Sequence, residues 1–429
     1  MNRRRTVWGV VFLMALISIS AGAEGALSLE QAFQLALKKN EDIRITEAQV
    51  AEARQNIRLA RAAVLPGITA AFTQSRNREA GVGGFVTFKD NTDFRFDVSQ
   101  PLYGGGKEWA TLRAARVEVA VQQEEVRLVK QARLFEVAVE YFSLLRAQHR
   151  QTIARRAVEL ARDQLALAAA RKEAGTATRT EVIRSEVALT AAERDVVRAE
   201  NDVAVFRARL GFVVGRPVEG PVLDEPDPET DEARPDDKTP DPYVARAIRL
   251  RPEHRIAELR LKEAQEGIRT ARAGFFPSAK LAGNYTRTQK VSSFREKDNW
   301  QVQAKVEYDI FDGFGRNAEV EKAEIRVEQH QLELERMARE IDLEVRQAML
   351  EIDALRAIRA ASRKGVGAAR ENYERVIAQF REGLSTAVEV ADAHTALVAA
   401  EVQEADTDAD LKLARRKFEL ALGELGTAE

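Results

Sequence analysis

Gly104-Gly105-Gly106-Lys107 has the composition of a phosphate-cradling loop, in which glycine amides and a lysine hold an anion. The spacing fails. Pro101 stands where the first glycine of that motif belongs, and Glu108 replaces the Ser or Thr that would hold magnesium. These glycines read instead as a bend between a strand and a helix. The four histidines, His149, His254, His330 and His394, are far apart in sequence. Arg146, Arg251, Val327 and Ala391 stand three residues before them, so no Glu-x-x-His or His-Glu-x-x-His ligand pair exists. There is no Gly-x-Ser-x-Gly elbow, and the absence of cysteine removes disulfides, thiolate metal sites and thiol nucleophiles. The sequence predicts no catalytic, cofactor or metal site. One acidic pair stands out. Glu389 and Asp392 lie one helical turn apart and share a face. Solvated acids on a helix surface give the same pattern.

The elements that would position such residues follow from the rest of the chain. Its 429 residues, 45% hydrophobic and 31% charged, are ample for a folded core. A net charge of −2 argues against a nucleic-acid partner held by a basic surface. A mean hydropathy of −0.35 argues against a bundle of membrane helices, but not against a β-barrel, whose lipid face uses alternate residues only. Arg3, Arg4 and Arg5 precede an apolar run from Val7 to Ile19, followed by Ala21-Gly22-Ala23. This predicts a secretory signal peptide over 1–23, with an uncleaved anchor as the competing reading. Export of a cysteine-free chain fits a bacterial envelope.

An internal duplication organises the remainder. Ala-Arg-Ala-Ala-Val-Leu-Pro at 60–66 recurs as Ala-Arg-Ala-Gly-Phe-Phe-Pro at 271–277, and Tyr103-Gly104-Gly105 as Phe311-Asp312-Gly313. Gly175, Thr178, Glu181, Leu189 and Gly215 find Gly383, Thr386, Glu389, Leu397 and Gly423 at one constant offset. The expected plan is a first repeat over 24–215, a linker over 216–242 and a second repeat over 243–429. The linker holds seven of the eleven prolines, with ten acidic and three basic residues, so it is expected to be extended and on the surface.

Each repeat opens with a helix capped at Ser28 or its equivalent, broken near Asn40 or Pro252 and stopped by Pro66 or Pro277. Two strands follow: Ile68–Ser75 then 93–99, and Ala279–Thr288 then 299–310. Trp300, Val302, Ala304, Val306, Tyr308 and Ile310 alternate with polar residues, a period of two. A half-buried soluble sheet alternates in the same way. Gly81-Val82-Gly83-Gly84 reads as a loop tip. Residues 107–174 then contain neither proline nor glycine, and Val121, Leu128, Phe135 and Phe142 recur every seven as a coiled-coil seam. At ~1.5 Å per residue that helix spans about 100 Å, too long for a compact domain. A turn at Gly175–Thr178 leads to a shorter helix over 179–213. Four strands per chain cannot close a membrane barrel, which needs about eight. Two chains or three would serve, and sequence arithmetic does not choose.

The chain resembles the TolC-like outer-membrane efflux proteins. The resemblance is carried by Leu27-Ser28-Leu29-Glu30-Gln31-Ala32, by Pro66 and Pro277, by Gln100–Gly105 and Ile310–Gly313, and by the turns Gly175–Glu181 and Gly383–Glu389. It implies a mainly α fold with β: a trimeric 12-stranded transmembrane β-barrel continuous with a 12-helix periplasmic α-barrel of long coiled-coil helices. It implies an exit duct for a tripartite efflux pump or type I secretion system. The partners would be a periplasmic adaptor protein, an inner-membrane transporter of the RND, ABC or MFS class, and outer-membrane lipid. Gly175 and Gly383 would form the turns of a gated periplasmic tip. Glu389 and Asp392 match acidic rings at the entrance, where carboxylates raise each other's pKa. Glu181 and Thr180 match positions that tie helices shut in some relatives. Ser385 replaces the basic partner found there, which weakens a salt-bridge lock. Phe380 is a tip residue or coiled-coil core. Trp300, Tyr285 and Tyr103 are candidate membrane-interface aromatics. The alternative is a periplasmic coiled-coil adaptor or scaffold without a pore.

Overall fold

The computed structural model describes residues 26–80, 86–224, 240–290 and 297–426; the side chains of 77–80, 86–91, 290 and 297 lie outside that description. The signal peptide, most of the linker and the Gly81–Gly84 tip also lie outside it. The chain order is α1 (Leu29–Lys39), α2 (Glu41–Ala62), β1 (Gly67–Ala80), β2 (Val86–Gly104), α3 (Lys107–Glu173) and α4 (Arg179–Val214). Then come α5 (Asp241–Leu250), α6 (Pro252–Arg272), a 3-10 turn, β3 (Ser278–Lys290), β4 (Lys297–Glu307), α7 (Gly315–Glu382) and α8 (Ala387–Leu422). No described helix is long and apolar enough to cross a membrane.

Local chemistry explains these boundaries. Ser28 and Gln31 form a capping box at α1, and Asn40 ends α1 while its side chain caps α2 through the amides of Asp42 and Ile43. Pro252 opens α6 at a position where its missing N–H costs nothing. β4 stops at Glu307, three residues short of the alternating pattern. The Asp312 carboxylate there accepts the Arg316 amide at 2.9 Å and starts α7.

The helices form two stacked rows. On the sheet side the order is α2, α3, α6, α7, and away from the sheet it is α4, α3, α8, α7. α3 and α7, with 67 and 68 residues, run through both rows at about 100 Å each, by the ~1.5 Å rise per residue. The largest core cluster sits at mid-height. There α1, the middle of α3 and the end of α4 bury Leu29, Phe33, Tyr141, Leu144, Leu210 and Val214 together with Leu425. The linker is not wholly superficial. Val218 and Val222 join this core, and Val222 pairs with Leu27 in a parallel bridge. The Tyr141 hydroxyl is shared between the carbonyls of Leu27 and Leu223, at 2.9 and 2.7 Å, and fixes that crossing. Two apolar residues among the prolines outweigh composition: their burial needs only a short segment to fold back.

The four strands form one antiparallel sheet in the order β1-β2-β3-β4. Register divides it into two faces, because directly opposed residues share a side. One face carries the rows Ile68/Val98/Gly283/Val302 and Ala70/Phe96/Tyr285/Trp300, with Leu281/Ala304 and Ala279/Val306 towards the helices. The other carries Thr69/Asp97/Asn284/Gln301 and Ala71/Arg95/Thr286/Asn299. No described helix covers the apolar face. Ile68, Phe72, Val302, Val306 and Trp300 are all exposed, Trp300 by 74%.

Candidate functional site

Two places combine chemistry with exposure: the helical end far from the sheet, and the sheet itself. At the helical end, α3 turns into α4 and α7 into α8. Gly175 and Gly383 make these turns with φ of 75° and 82°, a left-handed conformation that glycine adopts without strain. In the second turn the Gly383 amide donates to the Phe380 carbonyl and the Leu384 amide to that of Gln379, so the last carbonyls of α7 are satisfied.

Each following helix begins with a capping box, Thr178 with Glu181 and Thr386 with Glu389. The Glu389 carboxylate accepts the Thr386 amide at 2.8 Å and the Ser385 hydroxyl at 2.5 Å. The Ser385 hydroxyl holds Glu389 well within its own turn and below the ordinary carboxylate pKa, with the Thr386 amide adding to the effect. The expected raising of Glu389 concerned neighbouring subunits; within one chain the local donors act in the opposite direction. Ser385 therefore serves Glu389 and not Glu181, whose carboxylate caps its own helix at Thr178. Thr180 and Asp392 are exposed. Phe380 is 0% exposed and packs with Tyr373, Val390 and Leu397, so it is core and not lining.

Sequence reasoning missed Arg171. Its guanidinium donates to the Phe380 carbonyl at 3.0 Å and lies 4.5 Å from the Phe380 ring centroid, so it ties the end of α3 to the end of α7. It also missed what the Thr-x-x-Glu spacing at 178–181 and 386–389 signals, which is helix capping before any role in a gate.

A depressed carboxylate contributes stability above its unfolded pKa and loses it as pH falls through the folded value. Amide exchange, corrected for its intrinsic pH dependence, should thus show residues 384–390 losing protection as pH drops below about 4.3. Glu389→Gln should make that protection flat with pH. An unchanged slope in the variant would show that another group governs the turn.

In the sheet, Tyr285 and Trp300 stand directly opposed on the apolar face, and Tyr103 lies opposite Ala279 on the same face. From Val306 to Asp298 the backbone rises roughly 26 Å at ~3.3 Å per residue, where an Arg287–Asp298 pair at 3.9 Å ends the apolar rows. A strand tilted by ~40° converts that length to about 20 Å of height, within the apolar band of about 25 Å that outer-membrane barrels carry.

The sequence model of the outer membrane efflux protein family matches residues 32–216 and 244–424. The chain belongs to that family. Membership places this efflux protein in the outer membrane, with its helical part in the periplasm, and among transport proteins and not enzymes. It is 23% identical to the outer membrane efflux protein BepC of Brucella suis over 397 residues, covering 91% of this chain and 84% of BepC. It is 26% identical to the protein CyaE of Bordetella pertussis over 403 residues, covering 93% and 85%. Among solved structures, the fold is shared with VceC of Vibrio cholerae at a TM-score of 0.76 and 18% identity, covering 92% of this efflux protein and 96% of VceC.

Proposed function

We propose that the protein is the outer-membrane exit duct of a tripartite efflux pump or type I secretion system, passively conducting cargo from periplasm to exterior as a homotrimer. The observation that carries this is a sheet with one apolar and one polar face, open at both edges, continuous with helix rows that are also open at both edges. An open strand edge in lipid leaves backbone groups unpaired at several kcal/mol each, so β1 of one subunit must meet β4 of the next. Three subunits supply twelve strands, with the polar face turned to the lumen and Trp300, Tyr285 and Tyr103 turned to lipid.

The helices support the same closure. α7 lies at one edge of both rows and exposes Ile325, Leu332, Leu343 and Leu350. α2 and α4 lie at the other and expose Ile45 and Leu59, and Ile183, Val187, Val197, Val205 and Phe212. An apolar seam on each edge of one chain is what a heterologous, ring-closing interface requires. The duplicated plan, first repeat then linker then second repeat, doubles one subunit unit into two around the ring.

The tip turns at Gly175 and Gly383 close the periplasmic end. Glu389 and Asp392 form acidic rings there that attract cations. An adaptor protein engages the helices, and an inner-membrane transporter supplies energy and selects cargo. Conductance in planar bilayers tests the reading. Detergent-extracted protein should give discrete current steps. Its isolation as a water-soluble single subunit with an intact sheet would establish a pore-free scaffold instead.

A further inference from the structure

The four histidines divide by their surroundings. His149, His254 and His330 each stand beside a carboxylate, of Asp224, Glu258 and Glu333, at 3.3, 3.6 and 2.8 Å. His394 does not. It lies on α8 inside the second tip hairpin, its ring tilted at 45° to that of Tyr373 on α7 with centroids 5.8 Å apart. Tyr373 is buried in the cluster of Phe380, Val390, Ala393 and Leu397. The His394 Nε2 is buried as well and meets no hydrogen-bond partner among the described residues. A neutral imidazole can leave that nitrogen as a bare lone pair. An imidazolium cannot, because both ring nitrogens then carry a proton to donate, and a buried donor without an acceptor is costly.

The charges around the ring do little to offset this. On α8, Glu401 attracts the charged ring from two turns away, but Arg370 of α7 already holds that carboxylate at 2.9 Å. On α7 the facing group is the Tyr373 phenol, which burial keeps neutral; Asp163 of α3 and Arg381 of α7 act on it with opposite signs. Burial prevails, and the His394 pKa lies below the ordinary histidine value. The first hairpin has no counterpart. Leu165 and Glu186 occupy the equivalent positions there, at the offset that relates Gly175 to Gly383.

We propose that His394 is a proton sensor of the tip: the neutral ring keeps α7 and α8 packed together at Tyr373, and its protonation loosens this hairpin so that the duct opens more readily in an acidic periplasm. The direction follows from linkage. In a loosened hairpin water reaches the ring, and its pKa returns towards about 6.5. Protons then bind the loosened form more tightly than the packed one, so acid shifts the population towards loosening as pH falls below that value. Glu389 responds only below about 4.3, so the two windows separate. The sensor rests on the duct reading above.

The test compares the assembled full chain with His394→Gln and His394→Leu between about pH 7.5 and 5, the range in which histidine changes charge. Two quantities are measured. One is ion current per channel in planar bilayers. The other is amide exchange in detergent across 370–377 and 390–398, corrected for its intrinsic pH dependence. In the parent both should rise about threefold or more over this window, and in the variants both should stay flat. A flat parent overturns the sensor. So does a slope that the variants keep, which would assign the response to the acidic rings or another group. The leucine variant fills the space against Tyr373 and decides if the glutamine variant does not assemble. Absence of discrete currents from the parent at every pH overturns the duct instead; exchange that rises in the parent and not in the variants then still upholds a proton-sensitive hairpin.

Discussion

Leu350→Asp should leave a folded chain that no longer assembles. Leu350 is 69% exposed on the outer edge of α7, in line with Ile325, Leu332 and Leu343. In the proposed ring this seam meets the α2 and α4 edge of the next subunit. Burying an unpaired carboxylate at such a contact costs several kcal/mol, and three-fold symmetry repeats the cost at each interface. Within one chain Leu350 is exposed and belongs to no buried cluster, so helix content by circular dichroism should stay close to that of the parent. Size-exclusion chromatography with light scattering should show loss of the oligomer, and planar bilayers should show loss of conductance by more than about tenfold, the factor that 1.4 kcal/mol produces. A variant that assembles and conducts like the parent would mean that α7 does not lie at a subunit interface.

Phe380→Ala should loosen the tip. Phe380, 0% exposed, is the largest fully buried side chain in the cluster it forms with Tyr373, Val390, Ala393 and Leu397 beside the second turn. Deleting a buried phenyl group costs about 3–5 kcal/mol when the site cannot collapse. It also removes the ring on which Arg171 rests, although the carbonyl contact of Arg171 remains. The expected result is an assembled protein with faster amide exchange across 376–397 and a larger, noisier conductance. Phe380→Leu should recover most of both. If Phe380→Ala conducts like the parent while its exchange rises, packing at this point does not control the aperture.

The sequence made some of this legible and hid the rest for physical reasons. Helix breaks at Asn40 and Pro252 were legible because capping and missing amides are local properties, and the long helices were legible because 107–174 lacks every breaker. Strand existence was visible in the alternation from Trp300, but the end of β4 was not. Tyr308 and Ile310 continue the pattern, yet the backbone leaves the sheet after Glu307 and turns into α7, where the Asp312 carboxylate accepts the Arg316 amide. The burial of Val218 and Val222 was hidden among prolines and acids, because a fold-back depends on where Tyr141 lies, far away along the chain. At the tip, Glu389 was recognisable as an acid of interest, and its hold by Ser385 and Thr386 was encoded in adjacent residues. Arg171 was not recognisable, since its partner carbonyl belongs to another hairpin.

One consequence of the doubly open sheet concerns biogenesis. In the proposed barrel, a chain with open β1 and β4 edges has no stable way to reside in lipid alone, so membrane entry and oligomerisation would occur as one event. Each subunit is then a shared liability: co-expressed defective copies would be incorporated alongside sound ones, and a minority of them would disable a majority of the mixed assemblies. Inheritance of a damaged allele on a plasmid should therefore be dominant over an intact chromosomal copy.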